Sequence, residues 1–145
     1  MAKPESWRTD PASYPYTALI STRFADMDVL GHINNVAIAG MFEEGRVRFN
    51  HALKLVRHGA DTRWLIAGVD IAYLGEAHYP RDVTVVSGVG RLGRSSWTVL
   101  SAAFQADRCV ATCDTTIVYT DKNGARPFPD DFRRTFEGVM AGKAA

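Results

Sequence analysis

The sequence predicts an α+β domain in which one long helix lies against a curved antiparallel sheet of five strands. Three observations carry that expectation. Between Ile38 and Val56 the apolar residues recur at three- and four-residue steps, the spacing of one helix face, whereas from Thr62 to Tyr119 they alternate, the spacing of strands. The links between the alternating segments are short: Gly75–Asp82 contains Pro80, Arg91–Arg94 contains Gly93, and Ala106-Asp107-Arg108 is tight enough for a hairpin, so neighbouring strands run antiparallel. At 145 residues the chain is long enough for one buried core and too short for two.

The elements follow in order. Residues 1–14, with Pro4, Pro11 and no apolar period, read as a flexible arm, leaving 15–145 as the single domain. A first strand spans Tyr16 to Phe24, where Ala18, Ile20 and Phe24 alternate with Thr17, Ser21 and Arg23. A loop rich in turn formers, Ala25 to Asn35, feeds the helix, with Asn34 or Asn35 as N-cap and an end near Arg57-His58-Gly59. Four further strands cover Leu65–Leu74, Val83–Gly90, Trp97–Gln105 and Cys109–Tyr119, and a short helical tail surrounds Phe132 to Met140. Each of Gly40 and Gly45 costs the helix about 1 kcal/mol relative to Ala, which suggests that both lie close against another surface. One sheet covers one side of a helix, so a dimer that buries the rest is expected.

Composition excludes several classes. With 17 basic and 16 acidic side chains, the formal charge is only +1, too little for a broad nucleic-acid-binding field, although two or three Arg or Lys could still meet the phosphates of a nucleotide. No run of apolar residues is long enough to span a membrane, and the polar start lacks a signal-peptide core, so a cytoplasmic location is expected. Cys109 and Cys113 fall in one strand at a separation of about 13 Å, beyond the roughly 7 Å a disulfide tolerates. They read as small core residues on one strand face, in a reducing compartment. His32, His51, His58 and His78 are dispersed in sequence and form no zinc set, and no metal or cofactor is expected.

Reactive side chains concentrate in Asp26, Asp28, His32, Asn34 and Asn35, directly before the helix. The first N–H groups of a helix have no internal acceptor, and its dipole adds roughly half a positive charge there. Such a terminus can hold a developing oxyanion, while a carboxylate a few residues earlier can sit across the same carbonyl as base or nucleophile. The same residues also suit a plain N-cap and turn, with Gly31 permitting the bend, and spacing alone leaves both readings open. Glu43 and Glu44 read as helix-surface partners of Arg46 and Arg48.

The run Arg23-Phe24-Ala25-Asp26-Met27-Asp28-Val29-Leu30-Gly31-His32-Ile33-Asn34-Asn35, followed by Met41-Phe42-Glu43-Glu44-Gly45-Arg46, resembles the signature of the 4-hydroxybenzoyl-CoA thioesterase-like hotdog family. Asp70-Ile71-Ala72-Tyr73-Leu74, Asp82 and Arg91-Leu92-Gly93-Arg94-Ser95-Ser96 agree with later landmarks, so that the match extends over roughly 16–136. The resemblance implies a five-stranded sheet wrapped around the helix, and homodimers joined through sheet edges that often pair into homotetramers. It also implies hydrolysis of an acyl-CoA or acyl-carrier-protein thioester, with coenzyme A part of the substrate. By motif position Asp28 is the nucleophile or general base, and the helix start at Asn35 polarises the carbonyl. His32 matches a loop His of plant-type acyl-carrier-protein thioesterases, but Leu30 stands where those have Asn, which favours the simpler aspartate mechanism. Arg91, Arg94 and Ser95 at the hairpin, with Lys122, are candidates for contacts to the CoA phosphates. Ile38 replaces a Tyr common in relatives, and Glu76 or Ala77 a Pro. Two rivals are a hotdog hydratase or dehydratase and a dimer that binds acyl-CoA or acyl carrier protein without turnover.

Overall fold

The computed structural model describes residues 3–56 and 58–142. Strand β1 (Tyr16–Ile20) is followed by helix α1 (Asn35–Ala52), then β2 (Arg63–Tyr73), β3 (Val83–Leu92), β4 (Ser96–Gln105) and β5 (Arg108–Asp121). A two-residue β6 (Gly124–Ala125) and a short α2 (Asp130–Glu137) complete the chain. The sheet order is β1-β3-β4-β5-β2 with every pairing antiparallel, and β6 adds a minor sixth strand against β5.

The apolar spacing of α1 turns Ile38, Met41, Phe42, Gly45 and Phe49 onto the sheet. Gly45 is the close approach that the sequence suggested: a Cβ there would meet Val85 Cγ1 at 2.6 Å. Gly40 is not, since a Cβ there has no neighbour within 4 Å. The helix also stops sooner than expected. Lys54 takes a left-handed φ of 51°, and Leu53 and Leu55 turn into an aromatic cluster with Phe49, Trp97, Tyr119, Phe132 and Phe136. Of the expected helix end, Arg57 lies outside the described residues. The cluster also explains α2, whose Phe136 stacks on Trp97 with ring centroids 4.2 Å apart.

Three further expectations are corrected. Strand β1 ends at Ile20, because Phe24–Asp26 forms a 3-10 turn. Within the described residues, the arm is a strap: Ser6–Thr9 and Pro11–Ser13 form 3-10 turns, and buried Arg8 reaches Asp114 at 2.7 Å and the Tyr14 hydroxyl at 2.9 Å. Tyr14 then covers Val86, Ala102 and Phe104 on the sheet face away from α1. Finally, β5 bulges where Phe104 pairs with Cys109 and Ala103 with Ala111. That extra residue puts Cys109 with Tyr14 on the outer face and Cys113 with the helix-facing core, so the two thiols do not share a face.

Candidate active site

Between β1 and α1 the chain folds into a small antiparallel ribbon that places the reactive side chains. Met27 bridges Ile33, the Asp28 N–H donates to the His32 carbonyl at 2.9 Å, and the Asn34 N–H donates to the Asp26 carbonyl at 2.8 Å. Asp28 to Gly31 closes the ribbon as a turn, and Gly31 supplies the φ of 83° that the turn requires. Ile33 is buried and Met27 packs beside it in the core, which anchors the ribbon. Side-chain alternation puts Asp26, Asp28, His32 and Asn34 on the other side, with Asp28 directly opposite His32.

The two aspartates differ in what they are already doing. Asp26 is buried and accepts the Arg23 backbone N–H, Nε and Nη2, at 2.9, 3.1 and 2.7 Å. That guanidinium holds its carboxyl below the usual carboxylate range. Asp28 is half-buried; one oxygen accepts the Leu30 N–H at 2.9 Å, and no partner takes the other among the described residues. Of the two, Asp28 is the carboxylate with an uncommitted oxygen.

Asn34 is the N-cap of α1, its Oδ1 accepting the Val36 N–H at 2.7 Å, and Ile38 makes the first helical bond to the Asn34 carbonyl. Asn35 is thus the first helical residue, and among the described residues no acceptor takes the N–H of Asn35 or of Ala37. Two donors stand open at the positive end of an 18-residue helix. Tyr73 Oη, from β2, donates to the Asn35 carbonyl at 2.9 Å and ties this terminus to the sheet edge.

A cleft of about 720 Å³ runs along the same helix start, walled by Ile20, Ser21, Arg23, Ala25, Asp26 and Met27 on one side and by Asn34, Val36, Ala37, Gly40, Met41 and Glu44 on the other. Asp28 and His32 lie next to it but are not among its walls.

Two residues at this end, Glu76 and His78, were not assigned to the site from the sequence. Glu76 stands 3.3 Å from His32 Nε2 and 3.8 Å from His78 Nε2, and the two imidazoles meet edge to face at 5.8 Å. His32 and His78 are therefore neighbours rather than dispersed, brought together by the Ile33 N–H donating to the Ala77 carbonyl at 2.7 Å. No group of three metal-ligating side chains forms among the described residues. Glu44 pairs with Arg48 at 2.8 Å and Glu43 with Arg46 at 3.9 Å, as expected, and the buried Arg46 also donates inward to Thr115 Oγ1 at 3.2 Å.

Arg91, Arg94 and Ser95 lie elsewhere. They surround the β3–β4 hairpin, where the Arg94 and Ser95 carbonyls accept from Phe128 and Tyr119, beside the aromatic cluster. Strand β4 separates that hairpin at Ser96 from Gln105, which bonds to His78, a span of about 30 Å. Within one protomer these residues do not meet Asp28.

The model of the thioesterase-like superfamily matches residues 22–136. The chain belongs to that superfamily. Among solved structures, it resembles a thioesterase superfamily protein from Jannaschia sp. CCS1, with 25% identity, 91% of this chain and 89% of the other covered, and a TM-score of 0.78. Two more distant structures share the fold. One is a thioesterase from Thermus thermophilus complexed with coenzyme A and Zn, with 22% identity, 87% and 94% coverage and a TM-score of 0.75. The other is a Synechocystis 1,4-dihydroxy-2-naphthoyl-CoA thioesterase, with 16% identity, 83% and 94% coverage and a TM-score of 0.74. The chain is also 26% identical over 95 residues to YsmA of Bacillus subtilis (strain 168), and the aligned segment spans 66% of this chain and 63% of that curated relative. The superfamily match begins at Thr22 and so includes the whole ribbon and helix start.

Proposed function

We propose that this protein is an acyl-CoA thioesterase, hydrolysing the thioester to a carboxylic acid and free CoA. The observation that carries the reading is a helix start with open N–H groups at Asn35 and Ala37, fed by a ribbon whose Asp28 keeps an unspent carboxylate oxygen. The helix N–H groups polarise the thioester carbonyl, and Asp28 either attacks its carbon or takes a proton from an attacking water. A thiolate leaves readily, so no strong general acid is needed. His32, paired with Glu76 at 3.3 Å, stands opposite Asp28 in the ribbon.

The site is proposed to work in a homodimer. Edge strand β2 is 11 residues long, whereas the other edge, β1, has 5. Ile66, Val69 and Tyr73 on β2, and Val36 and Val47 on α1, stay exposed in one protomer, an apolar edge that needs covering. Antiparallel pairing of two β2 strands would bring the partner's hairpin end to this protomer's helix start. Arg91, Arg94 and Ser95 could then meet the CoA phosphates of the neighbouring site. Val69→Arg is expected to halve the mass measured by analytical ultracentrifugation and to abolish most turnover; a variant that stays dimeric would remove β2 as the interface. Among the described residues, no helix is long and apolar enough to cross a membrane. The proposed place is the cytosol, consistent with two unpaired cysteines whose thiols burial pushes up.

The test is a panel of short-, medium-, long-chain and aryl-CoA thioesters assayed for released thiol. Thiol release matched by carboxylic acid is expected. Binding without turnover of any substrate would instead identify an acyl-binding module, and an enoyl chromophore from a 3-hydroxyacyl-CoA would identify a hydratase.

A further inference from the structure

Among the described residues nothing requires glycine at position 40. A Cβ built there has no atom within 4 Å, in contrast to Gly45, where Val85 stands in the way. Gly40 nevertheless forms part of the wall of the 720 Å³ cleft, a volume within the roughly 300–1,000 Å³ of small-molecule sites. The formal charges around this cleft are already cancelled inside the chain, Arg23 by Asp26 and Glu44 by Arg48. What remains for a guest is an uncharged lining in which Ile20, Ala25, Met27, Val36, Ala37 and Met41 outweigh the neutral polar groups of Ser21 and Asn34. Two of these are methionines, whose unbranched side chains adapt to guests of different shape. The cleft also borders Asn34 and Val36, so a group lying in it is continuous with the helix start where a carbonyl would be held.

We propose that this cleft receives the acyl group of the thioester, that the group it fits is uncharged and aliphatic, and that Gly40 sets the chain length admitted. The proposal rests on the thioesterase reading of the helix start. A larger side chain at position 40 has open space to enter, and that space is the cleft itself.

The experiment compares kcat/KM for acetyl-, hexanoyl-, octanoyl- and dodecanoyl-CoA in the wild type, Gly40→Ala and Gly40→Leu, with Tm and oligomeric state recorded for each. The octanoyl-to-acetyl ratio is expected to fall at least tenfold in Gly40→Leu, by less in Gly40→Ala, and Tm is expected to hold or rise as a helix-interior glycine is removed. Ratios within threefold of wild type in both variants, or an equal loss at every chain length, would overturn the assignment, as would a change of oligomeric state, which would mean that a second copy fills the cleft. Wild-type protein that turns over no acyl-CoA would remove the thioesterase reading and this proposal together. Wild-type turnover with unchanged ratios in the variants would remove only the cleft assignment.

Discussion

Asp28→Asn is expected to lower kcat/KM for acyl-CoA by at least about a hundredfold while leaving Tm unchanged. The separation of the two effects follows from what the carboxylate does. Its structural duty is to accept the Leu30 N–H at 2.9 Å, and an amide oxygen can accept that bond equally well. Its chemical duty is lost, since a neutral amide neither attacks a thioester carbon nor takes a proton from water. General-base groups contribute about 10²- to 10⁴-fold, so a hundredfold loss is the low end of what a carboxylate in this role supplies. Asp26→Asn should behave in the opposite way, because Asp26 is committed to three bonds from Arg23 and its loss weakens the loop. Rates from released thiol and Tm from thermal unfolding, measured on both variants, check the pair. A loss under threefold for Asp28→Asn would remove Asp28 from the mechanism.

Asn35→Pro is expected to cost kcat about a hundred- to a thousandfold, the scale of deleting one oxyanion donor. A backbone N–H is normally beyond the reach of mutagenesis, but this one sits at the first helical position, where proline is well tolerated and the missing N–H breaks no helical bond. Asn34 already has φ −62° and ψ 145°, the extended conformation that a residue preceding proline prefers. The helix should therefore survive, and a circular dichroism spectrum and Tm like those of the wild type are expected. Asn35→Ala keeps the N–H and is expected to retain most of the rate. Should the proline variant lose less than tenfold, the Asn35 N–H is not the donor.

The strands and α1 were legible in the sequence because each holds its own period over many residues, and the reactive loop before α1 stood out because its motif is contiguous, although its pairing into a ribbon was not read. What could not be read came from contacts between distant segments. The terminal strap has no period of its own; Arg8 fixes it by an ion pair to Asp114 at the far side of the chain. The β5 bulge reverses the face of Cys109 relative to Cys113 through one unpaired residue, which alternation read along a strand does not reveal. At the site, Glu76 and His78 belong to the link before β3 and reach His32 only because the Ala77 carbonyl accepts the Ile33 N–H. Gly40 and Gly45 look alike in sequence, and only Val85 distinguishes them.

The spatial arrangement at the helix start is tested most directly by a crystal structure with an acyl-CoA analogue in which a methylene replaces the sulfur, giving an uncleavable ketone. The carbonyl oxygen is expected about 3 Å from the Asn35 N–H, with the Asp28 carboxylate on the opposite face of the carbonyl carbon. A ketone bound away from the helix start, or an Asp28 carboxylate directed away from the bound carbonyl, would contradict the account.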